Sequence, residues 1–344
     1  MDDLPPRRDR RSPIARIAAA TAVALAFALG IYLLLDSVQP GGGLISFSFL
    51  LVLPAALSAF VCYVADPWAE RRLRTYLLIP VWLLLLVIVA SLVFLHEGTV
   101  CVVILSPLWL IGGMIGAWIT YRLRRRRRAP DYGETFRGVV WLGLPLIAMQ
   151  VEPHIPLPAD TATVSRSIVV AASPERIWPL LEGVPDVQPG EGRWNVTQDV
   201  IGVPRPLGAR LVGQGIGAER LARWGDKISF RERINEWQPG RRIGWRFIFD
   251  DLEGWKFTDR HLMPDSPYWR ITTGGYRMEP LDGGRTRVTL HTAYWLRTPL
   301  NLYSEAWGQF FLGDVENNLL ALIKQRAERQ GTMTATDCPH TNDS

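Results

Sequence analysis

Four long apolar blocks open the chain: Ile17 to Leu35, Leu44 to Ala65, Tyr76 to Leu95 and Thr99 to Tyr121, none with a charged residue. A bilayer core of about 30 Å takes roughly 20 apolar residues of helix, so each block predicts a transmembrane helix. A fifth run, residues 138–151 (GVVWLGLPLIAMQV), is shorter and contains Pro145. It supplies only about 21 Å of helix at 1.5 Å per residue.

From Thr161 the period changes. Val164 to Ala171 alternates as a strand and runs into Ser173-Pro174-Glu175, which is helix-start chemistry. That helix should be short, interrupted by Pro179 and ended by Gly183. Further strands are predicted at Ala209 to Val212, Ile216 to Trp224, Ile228 to Trp237, Arg242 to Phe249, Tyr268 to Glu279 and Arg285 to Leu296. Turn signals at Gly225-Asp226, Pro239-Gly240 and Asp282-Gly283-Gly284 separate several of them. Leu302 to about Arg329 carries a helical stripe through Trp307, Phe311, Val315, Leu319 and Ile323. An antiparallel sheet with one buried face needs a cover, and one long amphipathic helix supplies it.

Charge then orients the apolar half. Arg7, Arg8, Arg10, Arg11 and Arg16 precede the first block, Arg71, Arg72 and Arg74 follow the second, and Arg122, Arg124, Arg125, Arg126, Arg127, Arg128 and Arg137 follow the fourth. The two alternate connections carry no Lys or Arg. Basic loops stay cytoplasmic, which places the N-terminus and the arginine run inside, with Arg124 to Arg128 as a topology anchor. Length alone reads 138–151 as an interfacial or re-entrant piece. Its flanks read it as a short fifth span: it is basic on the near side only, and after Glu152 no Lys or Arg appears until Arg166. We take the second reading, which puts the C-terminal domain outside the cytoplasm.

The chain has 344 residues and a formal net charge of +5. Of 38 basic residues only Lys227, Lys256 and Lys324 are lysines, a bias that points to a GC-rich bacterial genome and so to a bacterial inner (plasma) membrane. Three cysteines are too few for a disulfide framework or a zinc site. The five histidines show no metal-pair spacing, and GQGIGAE lacks the following helix of a dinucleotide fingerprint, so no metal and no cofactor is expected. Acidic and basic residues nearly balance in the C-terminal half, which argues against nucleic acid as a partner.

Catalytic candidates are few. Glu232 shares strand parity with Phe230 and Ile234 and so points to the apolar side, where a carboxylate needs a partner. Arg220, one strand back, is that partner unless a two-residue turn at Gly225-Asp226 sets Glu219 opposite Glu232 instead. A structural ion pair outweighs a catalytic dyad.

The order of elements, with SIVVAASPERIWPLL at the start and GGRTRVTLHTAYWL before the long helix, resembles the START-like helix-grip superfamily. Within it the resemblance is to the family of polyketide cyclase/dehydrase and lipid transport. The stretch GVPRPLGARLVGQGIGAER, followed by FRERINEWQPGRRIGWRF, resembles a bacterial branch that sets such a domain after several spans. The resemblance implies a sheet curled around the long helix and a cavity between them for a lipid or other apolar molecule. Candidate walls are Trp224, Phe230, Trp245, Phe247, Phe249, Trp269, Tyr276 and Tyr294 from strands and Trp307, Phe310 and Phe311 from the helix, although for any one of them plain core outweighs a place in a pocket wall.

The expected architecture is therefore an all-α transmembrane bundle of four to five helices followed by an α+β helix-grip domain. Its parts are a cytoplasmic tail (1–13), four transmembrane helices (14–121), an arginine-rich connection (122–137), the fifth hydrophobic segment (138–151), a linker (152–161), the helix-grip domain (162–330) and a disordered tail (331–344). The expected partners are the bilayer and a hydrophobic small molecule or lipid. The expected role is binding or carrying that molecule; the alternatives are a membrane-bound ligand sensor or a cyclase- or dehydratase-type enzyme.

Overall fold

The computed structural model describes residues 13–38, 45–95, 99–126, 134–257 and 263–336. The arginines before Pro13, Arg127, Arg128, His96, His261, His340 and Cys338 lie outside these residues. Two compact units divide between Pro156 and Leu157.

The first unit is helical: α1 (Pro13–Val38), α2 (Leu53–Ala65), α3 (Leu73–Ala90), α4 (Thr99–Arg126) and α5 (Glu134–Val151). One turn of wider helix, Ser48–Val52, leads into α2, and another, Ser91–Leu95, follows α3. Four helices are long and apolar enough to cross a membrane: Ile14–Val38, Ser48–Ala65, Leu73–Val93 and Thr99–Arg125. α5 is not among them.

Glycines set the closeness of α4 to its neighbours. A Cβ on Gly116 would lie 2.0 Å from the Ala55 carbonyl oxygen, and one on Gly113 2.7 Å from Pro80 Cβ. Small residues at such crossings let backbones approach where the surroundings are as apolar as the side chains. Asp66, buried at the end of α2, accepts from the backbone N–H groups of Glu70 and Arg71 and from the Tyr76 hydroxyl at 3.0 Å. The loop to α3 is thereby held by a single carboxylate.

The second unit is one antiparallel sheet of seven strands in the order β1-β7-β6-β5-β4-β3-β2. The strands are β1 (Asp160–Val170), β2 (Pro206–Val212), β3 (Glu219–Trp224), β4 (Ile228–Gln238), β5 (Arg242–Ile248), β6 (Trp269–Leu281) and β7 (Arg285–Leu296). Between β1 and β2 come α6 (Pro174–Glu182) and the short α7 (Val196–Asp199), and α8 (Asn301–Thr336) closes the chain. This is the helix-grip arrangement expected from the sequence. α8 packs over β1 and β7 and against α6 and α7. The main core gathers Ile177 and Leu181 of α6, Ile234, Ile243, Trp245, Tyr276, Val288 and Leu290 of the sheet, and Leu320 and Ile323 of α8.

Several local expectations change. α6 continues through Pro179 to Glu182, because losing the bond to the Glu175 carbonyl is outweighed by burial of Ile177, Leu180 and Leu181. β3 begins at Glu219 rather than Ile216, since Gly213, Gly215 and Gly217 all adopt positive φ in the preceding turns. α8 runs to Thr336, into the stretch read from sequence as a disordered tail. α7 carries no periodic signal; its Asn195 cap accepts from Gln198 N–H, and Asp314 of α8 accepts from Thr197.

Candidate functional site

The inward face of the sheet carries the chemistry. On β3 and β4 the inward positions are Arg220, Ala222, Ile228, Phe230, Glu232 and Ile234, all buried. The hairpin between these strands has a three-residue loop, Gly225-Asp226-Lys227, since Trp224 pairs with Ile228. A two-residue turn would have set Glu219 opposite Glu232. The longer loop shifts the register by one and sets Arg220 opposite Glu232, with Glu219 opposite Arg233.

Arg220 and Glu232 form a buried ion pair through the guanidinium Nε. The same guanidinium donates to the Leu181 carbonyl at 2.7 Å and lies 4.3 Å from the Trp245 ring centroid and 5.7 Å from that of Tyr276. Burial pushes the Glu232 carboxyl up, against the pull of Arg220. Burial also works against the charge on Arg220, but Glu232 and Tyr276 more than offset it. Carboxylate, carbonyl and aromatic ring together engage this guanidinium, which is the geometry of a structural pair.

The candidate wall residues separate into four groups. Trp224, Phe230, Phe247 and Phe249 form one aromatic cluster with Trp255, with ring centroids 5.7–6.1 Å apart from Phe230 to each of Phe247, Phe249 and Trp255. Trp245 and Tyr276 belong to the main core, 5.4 Å apart. Trp269 packs on Tyr294 at 6.0 Å, and Tyr294 reaches α8, where its hydroxyl donates to the Glu305 carbonyl at 3.3 Å. A Cβ on Gly308 would meet that hydroxyl at 2.4 Å, so glycine admits the phenol. Trp307, Phe310 and Phe311 stack among themselves and with Tyr303 along α8. Phe310 is 40% exposed and so faces away from the interior. No α8 residue enters the aromatic cluster of β3, β4 and β5 among the described residues.

Two groups escaped the sequence reading. Glu316 of α8 is 1% exposed, and the Thr292 hydroxyl lies alongside its carboxyl without reaching full hydrogen-bond geometry. Burial pushes its carboxyl up to about 7, opposed by the Thr292 hydroxyl and the Arg166 guanidinium. The indole N–H of Trp245 is likewise buried and unpartnered among the described residues. Glu316 was missed because it sits among Val315, Leu319 and Ile323 on a stripe that reads as plain amphipathic helix. His291 lies on the opposite face, half-buried beside Gly275, and burial lowers its pKa.

The arginine anchor is partly built into the first unit. Arg124 is buried, donates to the Tyr63 carbonyl at 3.1 Å and lies 4.9 Å from the Tyr63 ring centroid. Arg125 stacks over Tyr121 at 5.2 Å, and Arg126 ends α4. Among the described residues no cluster of three His, Cys, Asp or Glu side chains is arranged to hold a metal.

Residues 161–328 match the family model described as polyketide cyclase / dehydrase and lipid transport. The C-terminal unit belongs to that family. Among solved structures the chain is similar to norcoclaurine synthase of Thalictrum flavum, at 12% identity over 51% of this chain and 99% of that one, with a TM-score of 0.33. It is also similar to a Streptomyces aromatase/cyclase (17% identity, 50% and 96% covered, TM-score 0.31) and to a protein of Nitrosomonas europaea (18%, 48% and 96%, 0.29). No curated protein matches it. The assignment of the polyketide cyclase/dehydrase domain to the helix-grip fold rests on its own strand order and closing helix.

Two measurements test this reading of the domain's charges. Glu232→Gln leaves Arg220 buried without its counter-charge and should cost about 3–5 kcal/mol in denaturant unfolding, of which Arg220→Met in the same chain recovers a large part. Unchanged stability in Glu232→Gln would remove the structural role. For Glu316 the unfolded carboxyl releases its proton near 4.5 and the folded one near 7. The folded state binds the extra proton between these values, so the contribution of Glu316 to stability is greatest below pH 4.5. It should fall by roughly 3 kcal/mol as pH rises to 7, then level off. Glu316→Gln should flatten that slope in unfolding measured across pH 4.5 to 8.

Proposed function

We propose that this protein is a membrane-tethered binder or carrier of a hydrophobic small molecule or lipid, held between the sheet and its cover in the polyketide cyclase/dehydrase domain. The observation that carries the reading is the aromatic inner face of β3, β4 and β5. Its rings gather against Trp255, from the short turn Glu253–Phe257, and no α8 residue belongs to that cluster among the described residues. A face of aromatic rings whose cover is one turn of chain needs little rearrangement to admit an apolar ligand, and apolar walls with a few placed polar groups are what ligand sites are made of. The printed family description, with lipid transport in it, supports the same class of ligand.

The tether bears on where the ligand is met. α5 runs antiparallel along α2: Gly138 abuts Phe60 and Tyr63 near the far end of α2, while Glu152 accepts from the backbone N–H groups of Phe47 and of Ser48, the latter at 2.9 Å. The first N–H groups of a helix have no partner within it, and a carboxylate there is favoured by both hydrogen bonding and the helix dipole. α5 therefore matches, end to end, a helix long and apolar enough to cross a membrane. A helix aligned with a span over its whole length occupies the same slab of bilayer. This supports residues 138–151 as a fifth span and an extracytoplasmic C-terminal domain in a bacterial inner membrane.

Native mass spectrometry of the detergent-extracted protein should show a co-purified apolar molecule, with less of it in Phe247→Ala. A protein that stays empty after mild extraction and after reconstitution with lipid sinks the ligand reading. Cys62 and Cys101 are buried, so Cys338 is the thiol that a membrane-impermeant maleimide reports. Labelling in intact spheroplasts is the expected result; protection until lysis would place the domain in the cytoplasm.

A further inference from the structure

The first three turns of α8 carry an apolar face that stays exposed. Leu302, Ala306 and Phe310 recur at four-residue spacing and so share one side of the helix. Leu302 is 84% exposed and Phe310 40%, and Ala306 is exposed as well. Tyr303, Trp307 and Phe311 run beside them half-buried, with Trp307 meeting the rings of the other two. Among the described residues none of these three joins the cores around Tyr276 and Tyr294. Further along α8 the covering changes. Asp314 accepts from the Thr197 hydroxyl of α7, and Asn318 accepts from the backbone N–H of Arg193. The exposed apolar stretch is therefore confined to the beginning of the helix.

The tether identifies what lies against this face. The side-chain amide of Asn301, the first residue of α8, donates to the Pro158 carbonyl at 2.9 Å. That bond pins the beginning of α8 to the place where the chain enters the domain. Seven peptide links join Val151, the last residue of α5, to Pro158. Fully extended they reach at most about 25 Å. The tether is itself apolar, with Ile155 exposed and no Lys or Arg before Arg166. A domain on so short an apolar leash meets the lipid surface with the end that carries the leash.

We propose that the first three turns of α8 dock on the bilayer, with Leu302 and Phe310 among the uppermost acyl chains and Tyr303 and Trp307 at the headgroup level. Tyr and Trp favour that level because each has an apolar body and a polar tip. Charge at this end of the sheet has no positive excess: Arg270 and Arg297 are matched by Asp160, Asp265 and Glu305. Apolar area rather than headgroup charge therefore holds the face down. The proposal rests on the tethering part of the function proposed above and is independent of any ligand in the domain.

The test puts an environment-sensitive fluorophore on single cysteines of the full chain in lipid nanodiscs, with Cys338→Ser and the buried Cys62 and Cys101 left in place. The discs are made with and without lipids that carry a nitroxide quencher on the acyl chain. Leu302→Cys carries the reporting label. Leu85→Cys, exposed on α3, is the control inside the bilayer, and Asp282→Cys, in the turn at the far end of β6 and β7, is the control in water. The Leu302 label should be blue-shifted and lose emission to the nitroxide as the Leu85 label does, while the Asp282 label keeps its emission. Adding Phe310→Ser should shift docking about tenfold towards the free state and restore most of the Leu302 emission. Discs of phosphatidylcholine and of phosphatidylglycerol should give equal quenching. Quenching in phosphatidylglycerol alone overturns the apolar basis of the docking. A Leu302 label that stays in water overturns the docking itself. So does one that is blue-shifted but unquenched, because protein, such as a second copy of this chain, then covers the face. In both cases a quenched Leu85 label leaves the membrane tether standing; an unquenched Leu85 label overturns the tether as well.

Discussion

A polar group taken out of water must find a partner, and most of this chain's architecture follows from how that demand is met. In the first unit the demand is severe, because the four apolar helices leave their terminal N–H and C=O groups with few alternatives. Asp66 answers it for the loop after α2, and Arg124 for the carbonyl of Tyr63. Glu152 answers it for the start of the helix that becomes α2. Each is a charged residue doing a structural task, and each lies at the end of a helix rather than within one. That distribution is why the apolar blocks read as uncharged in sequence even though charges hold them together.

The elements themselves were largely legible. Alternation gave six of the later strands to within a few residues, and the Ser173-Pro174 start marks a real helix boundary. What the sequence could not reveal were contacts between distant segments. Glu152 and Ser48 are separated by the whole of α2 to α5, and nothing local in either shows that one caps the other. The ambiguity of residues 138–151 was therefore not a matter of composition alone. A short run with Pro145 gains its meaning from the helix beside it, and that neighbour is invisible to a window moved along the chain.

The same limit governs the candidate site. Parity was enough to point Glu232 inward, but one residue of hairpin loop decided whether it met Arg220 or Glu219. Aromatic residues were easy to find and hard to apportion, because core and cavity wall share a composition; only ring contacts separate the cluster of β3, β4 and β5 from the stack on α8. Glu316 was the real omission. A carboxylate on a helix normally marks the wet face, and its neighbours in sequence give no sign that α8 turns this position against Thr292.

The two buried carboxylates of the domain show why burial by itself does not mark a functional group. Glu232 and Glu316 are both withdrawn from water, and burial raises the pKa of each. The difference is in what surrounds them. Glu232 meets a guanidinium already oriented by a carbonyl and an indole ring, so its charge is consumed in fixing β3 to β4 and α6. Glu316 has the Thr292 hydroxyl beside it and no guanidinium bonded to it among the described residues, an arrangement that stabilises its charge poorly. A fold selected for stability alone would place Leu or Met at such a position at no cost in packing.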